Sequence, residues 1–181
     1  NVSEHHVVFA YDDTAEANSS IRYYAECPVF RPDRTTLVPG ATQVTLPKYA
    51  FDQPVDFALL DGPHGYPFPE LEYYYVYPHL REGALLVVDD IHIPTIHRLH
   101  TFLAEDAMFE LVHVERTTAF FRRTGAPVFS PYGDGWEHQA YNRTRFPVDV
   151  ASGEAAAQGA LAEAPESTAL DEALAALDAA R

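Results

Sequence analysis

Val55-Asp-Phe-Ala-Leu-Leu-Asp61-Gly-Pro-His64 and Gly83-Ala-Leu-Leu-Val-Val-Asp89-Asp90-Ile-His92 are the two stretches whose reading decides the fold. Each is a short apolar run bounded by Gly, Pro or Asp, and each ends in an acid. Runs of this kind suit strands buried on both faces of a parallel sheet. Ligands of such sheets bind just beyond the carboxyl ends of the strands. Asp61, His64, Asp89, Asp90 and His92 are therefore expected to crowd one rim.

Working outward, His5 to Tyr11 reads as a short strand ending in Asp12-Asp13. Thr14 to Cys27 reads as a helix capped by Asp13 or Thr14 and stopped by Pro28. Thr35 to Val38 is a second short strand, Gly40 to Gln43 the turn after it, and Val44 to Tyr49 a brief helix. Glu70 to Leu80 reads as a helix with Leu71, Tyr74, Tyr75 and Tyr77 toward the buried side and Pro78 in its last turn. Thr95 to Ala104 is a helix opened by Pro94, with Ile96, Leu99, Phe102 and Leu103 at helical spacing. Phe109 to Glu115 and Thr117 to Arg122 follow each other so closely that they should pair antiparallel. This traffic argues for an α/β layered sheet, mostly parallel, with an antiparallel C-terminal strand pair.

Composition narrows the class. The chain has 181 residues, 47% of them hydrophobic, which is enough for one sizeable core, and no run reaches the roughly 18 apolar residues of a membrane span. A formal net charge of −15 disfavours nucleic acid and anionic membrane as partners. The single cysteine, Cys27, excludes an intramolecular disulfide and any multi-cysteine metal site, and a cytoplasmic location is expected. We expect the core domain over residues 1–126 and an irregular Pro-, Gly- and Tyr-rich extension over 127–150. Over 151–181 an Ala/Glu-rich tail, helical or disordered, carries no catalytic role.

Three local matches resemble class I S-adenosylmethionine-dependent methyltransferases, in particular the branch that includes catechol O-methyltransferase. They are Leu37-Val-Pro-Gly40-Ala41-Thr42-Gln43, Phe57-Ala-Leu-Leu-Asp61 and Leu85-Leu-Val-Val-Asp89-Asp90. The resemblance implies a Rossmann-like methyltransferase sheet that transfers a methyl group from S-adenosylmethionine to a small molecule, best to a hydroxyl. It implies that Gly40, Ala41, Thr42 and Gln43 surround adenine and that Asp12 holds the ribose. Asp61 would contact cofactor or, with Asp89 and Asp90, hold Mg2+ or another divalent cation. The family's third ligand is Asn, and Asp90 keeps a hard oxygen there. Three carboxylates without a cation would raise one another's pKa. His64 stands where relatives place a general base, and histidine's ordinary pKa near 6.5 suits that role.

The same residues fit a metal-independent arrangement in which Asp61 contacts cofactor and His64 acts alone. His92 would touch substrate or support the site, and Tyr66 and Phe68 are candidates for a substrate wall. No Gly precedes Gly40, so the family's Gly-rich loop after its first strand is absent, and a strict alignment puts Ala10 where the ribose acid usually stands. We therefore expect an N-terminally truncated domain whose sheet has a gap where the first strand belongs. Two rival classes remain open: a metal-dependent hydrolase using the same acids and histidines, and a non-catalytic Rossmann-like binding module.

Overall fold

Short β-branched and aromatic runs at His6–Ala10 and Thr35–Pro39 form β1 and β2, paired in parallel with Val8 opposite Leu37. The computed structural model describes residues 5–10, 20–130 and 133–145, so Asp12 and Asp13 lie outside the described residues, as does the start of the helix expected from Thr14. The described part of that helix is α1 (Ser20–Glu26). After β2, the chain turns at Gly40 into α2 (Thr42–Thr45), which begins earlier than expected and tightens into a 3-10 turn over Leu46–Lys48. Residues Asn1–Tyr141 form one compact unit and Asn142–Arg181 a second.

The remaining elements are β3 (Val55–Leu60), α3 (Phe68–Val76), β4 (Leu80–Val88), α4 (Pro94–Glu105), β5 (Phe109–Glu115), β6 (Thr118–Arg123) and α5 (Ala140–Arg145). The second sheet has the order β3-β4-β6-β5, with β3 and β4 parallel and the β6 pairings antiparallel. The fold is α/β with a mixed sheet, as the sequence led us to expect. Among the described residues β1 and β2 form a sheet of their own and β3 is an edge strand.

The core lies where α3 and α4 cover the larger sheet. Leu86, Leu103, Ala119 and Phe121 are wholly buried, and Leu86 stands directly opposite Phe121. Ile96, Leu99 and Leu103 form the buried stripe of α4, at the spacing read from sequence. No helix among the described residues is long and apolar enough to cross a membrane.

Three local readings need correction. Burial on both faces fails for β3, where Phe57 and Leu59 are 56% and 52% exposed. Strand side chains alternate, so these two face away from the helix-covered side that takes Ala58 and Leu60. The buried face of α3 is Pro69, Glu72, Tyr73 and Val76, whereas Tyr74 is exposed. Finally, β4 starts at Leu80, and its register with β3 jumps from Val55–Leu80 to Phe57–Leu85. Gly83, at φ +80°, supplies the left-handed conformation that such a bulge requires.

Candidate functional site

β3 and β4 run side by side with Leu60 opposite Val88, so the residues that follow them emerge together. The Asp89 amide donates to the Leu60 carbonyl at 3.1 Å, which holds the two strand ends in step. Beyond this point Asp61, His64 and Asp90 each offer a ligand atom, all within 4.8 Å of one another. His64 Nε2 lies 3.2 Å from Asp90 Oδ2, and His92 Nδ1 lies 3.6 Å from Asp90 Oδ1. The rim anticipated from the apolar runs therefore has a definite centre at Asp90.

The backbone explains why an acid stands at position 90. Asp90 has φ +54°, a left-handed conformation that Asp and Asn tolerate far better than other non-glycine residues. The Ile93 amide donates to the Asp90 carbonyl at 2.9 Å and closes the turn. Asp89 faces differently: its carboxylate accepts a 2.5 Å hydrogen bond from Thr118 Oγ1. That bond, with help from the Asp90 amide, holds the Asp89 pKa below the ordinary carboxylate value. Asp61 is shifted the other way, first by desolvation and then by the charges of Asp89 and Asp90. A positive charge placed beside Asp61 would relieve the repulsion it feels from Asp89 and Asp90.

The loop carrying His64 is pinned from two sides. Thr95 Oγ1, at the start of α4, donates to the His64 carbonyl. Gly62 packs against the carboxylate of Glu72, so closely that a Cβ there would collide with it. Glu72 is 5% exposed and accepts a 2.7 Å hydrogen bond from Thr42 Oγ1. It therefore ties α2, next to the Gly40 turn, to the loop between Asp61 and His64. Sequence reading missed Glu72, although Pro69, Glu72, Tyr73, Val76 and Tyr77 fall at i, i+3, i+4, i+7 and i+8, a helical stripe that was there to be read.

Gly40 itself has φ +118°, and its amide donates to the Ala10 carbonyl at 3.0 Å, which fixes the turn against the end of β1. Ala41 and Thr42 open α2, and Gln43 and Val44 lie on its exposed side. Tyr66 is 63% exposed and carries the Arg98 guanidinium 5.3 Å from its ring centre, while Phe68 starts α3 half-buried. Tyr73 and Tyr77 belong to the core.

Two expected outcomes follow from the pinning. Gly62→Ala should cost about 1–3 kcal/mol, since the new methyl forces the buried carboxylate or the loop to move; urea unfolding reads this, and an unchanged midpoint would contradict the packing. The second concerns pH. Burial raises the Glu72 pKa, and Asp61 adds to the rise against an opposing Thr42 hydrogen bond. An acid whose folded pKa lies above its unfolded value contributes stability fully present below the unfolded pKa and lost as pH rises through the folded one. Glu72→Gln should thus gain stability relative to the parent as pH rises from near 4 toward neutrality. Melting temperatures across that range check it, and a constant difference would count against it.

Parallel strands that end in such a cluster, with a glycine turn beside it, fit a Rossmann-like sheet. Residues 2–91 match the model of a family described as a methyltransferase domain. Solved structures agree in fold. The O-methyltransferase NovP has a TM-score of 0.52 at 17% identity, over 65% of this chain and 59% of NovP. TomG, an O-methyltransferase of Streptomyces achromogenes involved in tomaymycin synthesis and solved with S-adenosylmethionine, has 0.51 at 19% identity, over 67% and 62%. Residues 2–91 thus match a methyltransferase domain, the chain shares the fold of these O-methyltransferases, and it spans about three-fifths of the length of these structures. No curated protein matches the sequence significantly.

Proposed function

We propose that the protein transfers a methyl group from S-adenosylmethionine to a hydroxyl of a small molecule, with His64 as general base. The observation that carries this reading is the Asp61, His64 and Asp90 cluster at the ends of adjacent parallel strands, one and four residues beyond β3 and two beyond β4. S-adenosylmethionine supplies an electrophilic methyl group. The protein's task is to hold an acceptor oxygen in line with it and to remove the proton.

His64 is oriented for that removal. With Nε2 facing the Asp90 carboxylate at 3.2 Å, Nε2 carries the hydrogen and Nδ1 is the acceptor nitrogen. Asp90 then stabilises the imidazolium that results, and the Thr95 bond to the His64 carbonyl holds the backbone of the loop that carries the ring. Gly40, Ala41, Thr42 and Gln43 are assigned to the adenine side, with Thr42 linked through Glu72 to the His64 loop. Asp12 is assigned to the ribose.

The acids suit a hard divalent cation such as Mg2+. Asp61 and Asp90 converge, and Asp89 stands close enough to raise the pKa of Asp61. Asp61 and Asp90 would hold it, with Asp89 adding negative charge from its place on Thr118, and a cation there would neutralise their mutual repulsion and acidify a bound hydroxyl. Adding Mg2+ to the metal-free protein should raise the melting temperature, and Asp61→Asn should abolish that rise. A thermal scan with and without the ion reads the effect; an equal rise in the variant would remove Asp61 from the cation site.

A further inference from the structure

The turn assigned to the cofactor and the loop that carries His64 sit on different sheets. The Gly40 turn follows β2, which pairs with β1, whereas His64 follows β3, and among the described residues no strand pairing joins the two sheets. Backbone bonds between strands therefore do not fix the distance from turn to loop. Methyl transfer needs that distance held closely, since a misplacement of about 1 Å can cost on the order of 10²-fold in rate.

Glu72 stands where the two elements meet. Its Oε1 accepts the 2.7 Å hydrogen bond from Thr42 Oγ1 on α2, and the same oxygen is the nearest atom to the position a Cβ on Gly62 would occupy. One carboxylate oxygen thus touches both the start of α2 and the loop between Asp61 and His64. The supports on each side are fixed: Leu46, just past α2, is buried in the core, and Pro69, Tyr73 and Val76 hold α3 around Glu72. At 5% exposure a carboxylate is costly, and a leucine would fill similar space without that cost. What a leucine lacks is an acceptor for Thr42. Glu72, Asp61, Gly62 and His64 also line a common space of about 10 Å³, close to what one water requires. No acceptor molecule fits there, so Glu72 acts on the reaction through the loop.

We propose that Glu72 is the positioning residue that carries order from the cofactor turn to the His64 loop, so that cofactor bound beside Thr42 brings the base into register. The proposal rests on the methyl-transfer reading and adds to it a residue that touches neither cofactor nor acceptor. Coupling of this kind travels through contiguous contacts, and Thr42, Glu72 and Gly62 supply them.

Amide hydrogen exchange of the whole chain, with and without saturating S-adenosylhomocysteine, reads the transfer directly. In the parent the ligand should slow exchange at residues 41–43 and also, by about fivefold or more, at residues 64–66. In Glu72→Leu the slowing at 41–43 should remain and that at 64–66 should disappear. Thr42→Val, which removes the donor from the other side, should behave in the same way, whereas Glu72→Gln keeps an acceptor and should restore the response. With a phenolic acceptor, kcat should fall about 10–10²-fold in Glu72→Leu and stay near the parent in Glu72→Gln. A side chain that merely filled space would not separate these two variants. The inference is overturned if the parent loop does not respond while the turn does, if the loop response survives in Glu72→Leu, or if Glu72→Gln fails to rescue it. Loss of the response at both places in Glu72→Leu would make Glu72 part of the cofactor site and overturn it too. No slowing at 41–43 in the parent would overturn the methyl-transfer reading itself, and this inference with it.

Discussion

His64→Ala is expected to lower kcat for methyl transfer by about 10²–10⁴-fold while S-adenosylhomocysteine still binds as in the parent. The size follows from what a positioned base contributes, and the sparing of binding follows from where His64 sits. Its ring faces Asp90 at 3.2 Å, whereas the Gly40 turn is anchored separately to β1 through the Ala10 carbonyl. Losing the imidazole removes the proton acceptor and leaves the turn, the Thr42–Glu72 bridge and the strand ends intact. Steady-state kinetics with a phenolic acceptor, set beside calorimetry, separates the two effects. A kcat within a few-fold of the parent would assign the base elsewhere.

Phe121→Ala should destabilise the fold by about 3–5 kcal/mol, the range for deleting a large buried aromatic side chain. Phe121 is wholly buried on β6, opposite Leu86 of β4, and its ring lies 5.7 Å from that of His100 on α4. Removing it opens a void where sheet and helix meet, in a region too tightly packed to collapse onto it. Domains of this kind have only about 5–15 kcal/mol of net stability, so the loss is a large share of the whole. The next pair along the same face, Val88 and Ala119, leads directly into Asp89 and Asp90, so the rim should loosen with the core. Urea denaturation gives the stability change; a loss below 1 kcal/mol would mean the core is not centred on Phe121.

How much of this was legible in the sequence follows from which signals are local. Apolar runs ending in acids announce strand ends without reference to partners, so Asp61, Asp89 and Asp90 could be placed before any fold was known. The antiparallel pairing of β5 and β6 was equally readable, because two residues between strands leave no room for a crossover. What could not be read depends on neighbours. A continuous apolar run does not say whether both of its faces are covered, and β3 leaves Phe57 and Leu59 outside. On α3 the tyrosine run Tyr73-Tyr74-Tyr75 masked the helical stripe, since tyrosine serves core and surface alike. A stripe containing Glu72 looks wrong until Thr42, thirty residues away, supplies its partner. The division of labour between Asp89 and Asp90 was also hidden: it rests on Thr118 and on the left-handed backbone at Asp90, neither of which has a signature near the acids themselves.

The central claim is tested most directly by calorimetric titration of S-adenosylhomocysteine into the intact, folded protein, with and without Mg2+. The account predicts saturable one-to-one binding that Thr42→Val and Asp12→Ala weaken and His64→Ala does not. No binding to a protein shown by circular dichroism to be folded would contradict it, and would turn attention to the acid and histidine rim as a site for hydrolysis or for binding alone.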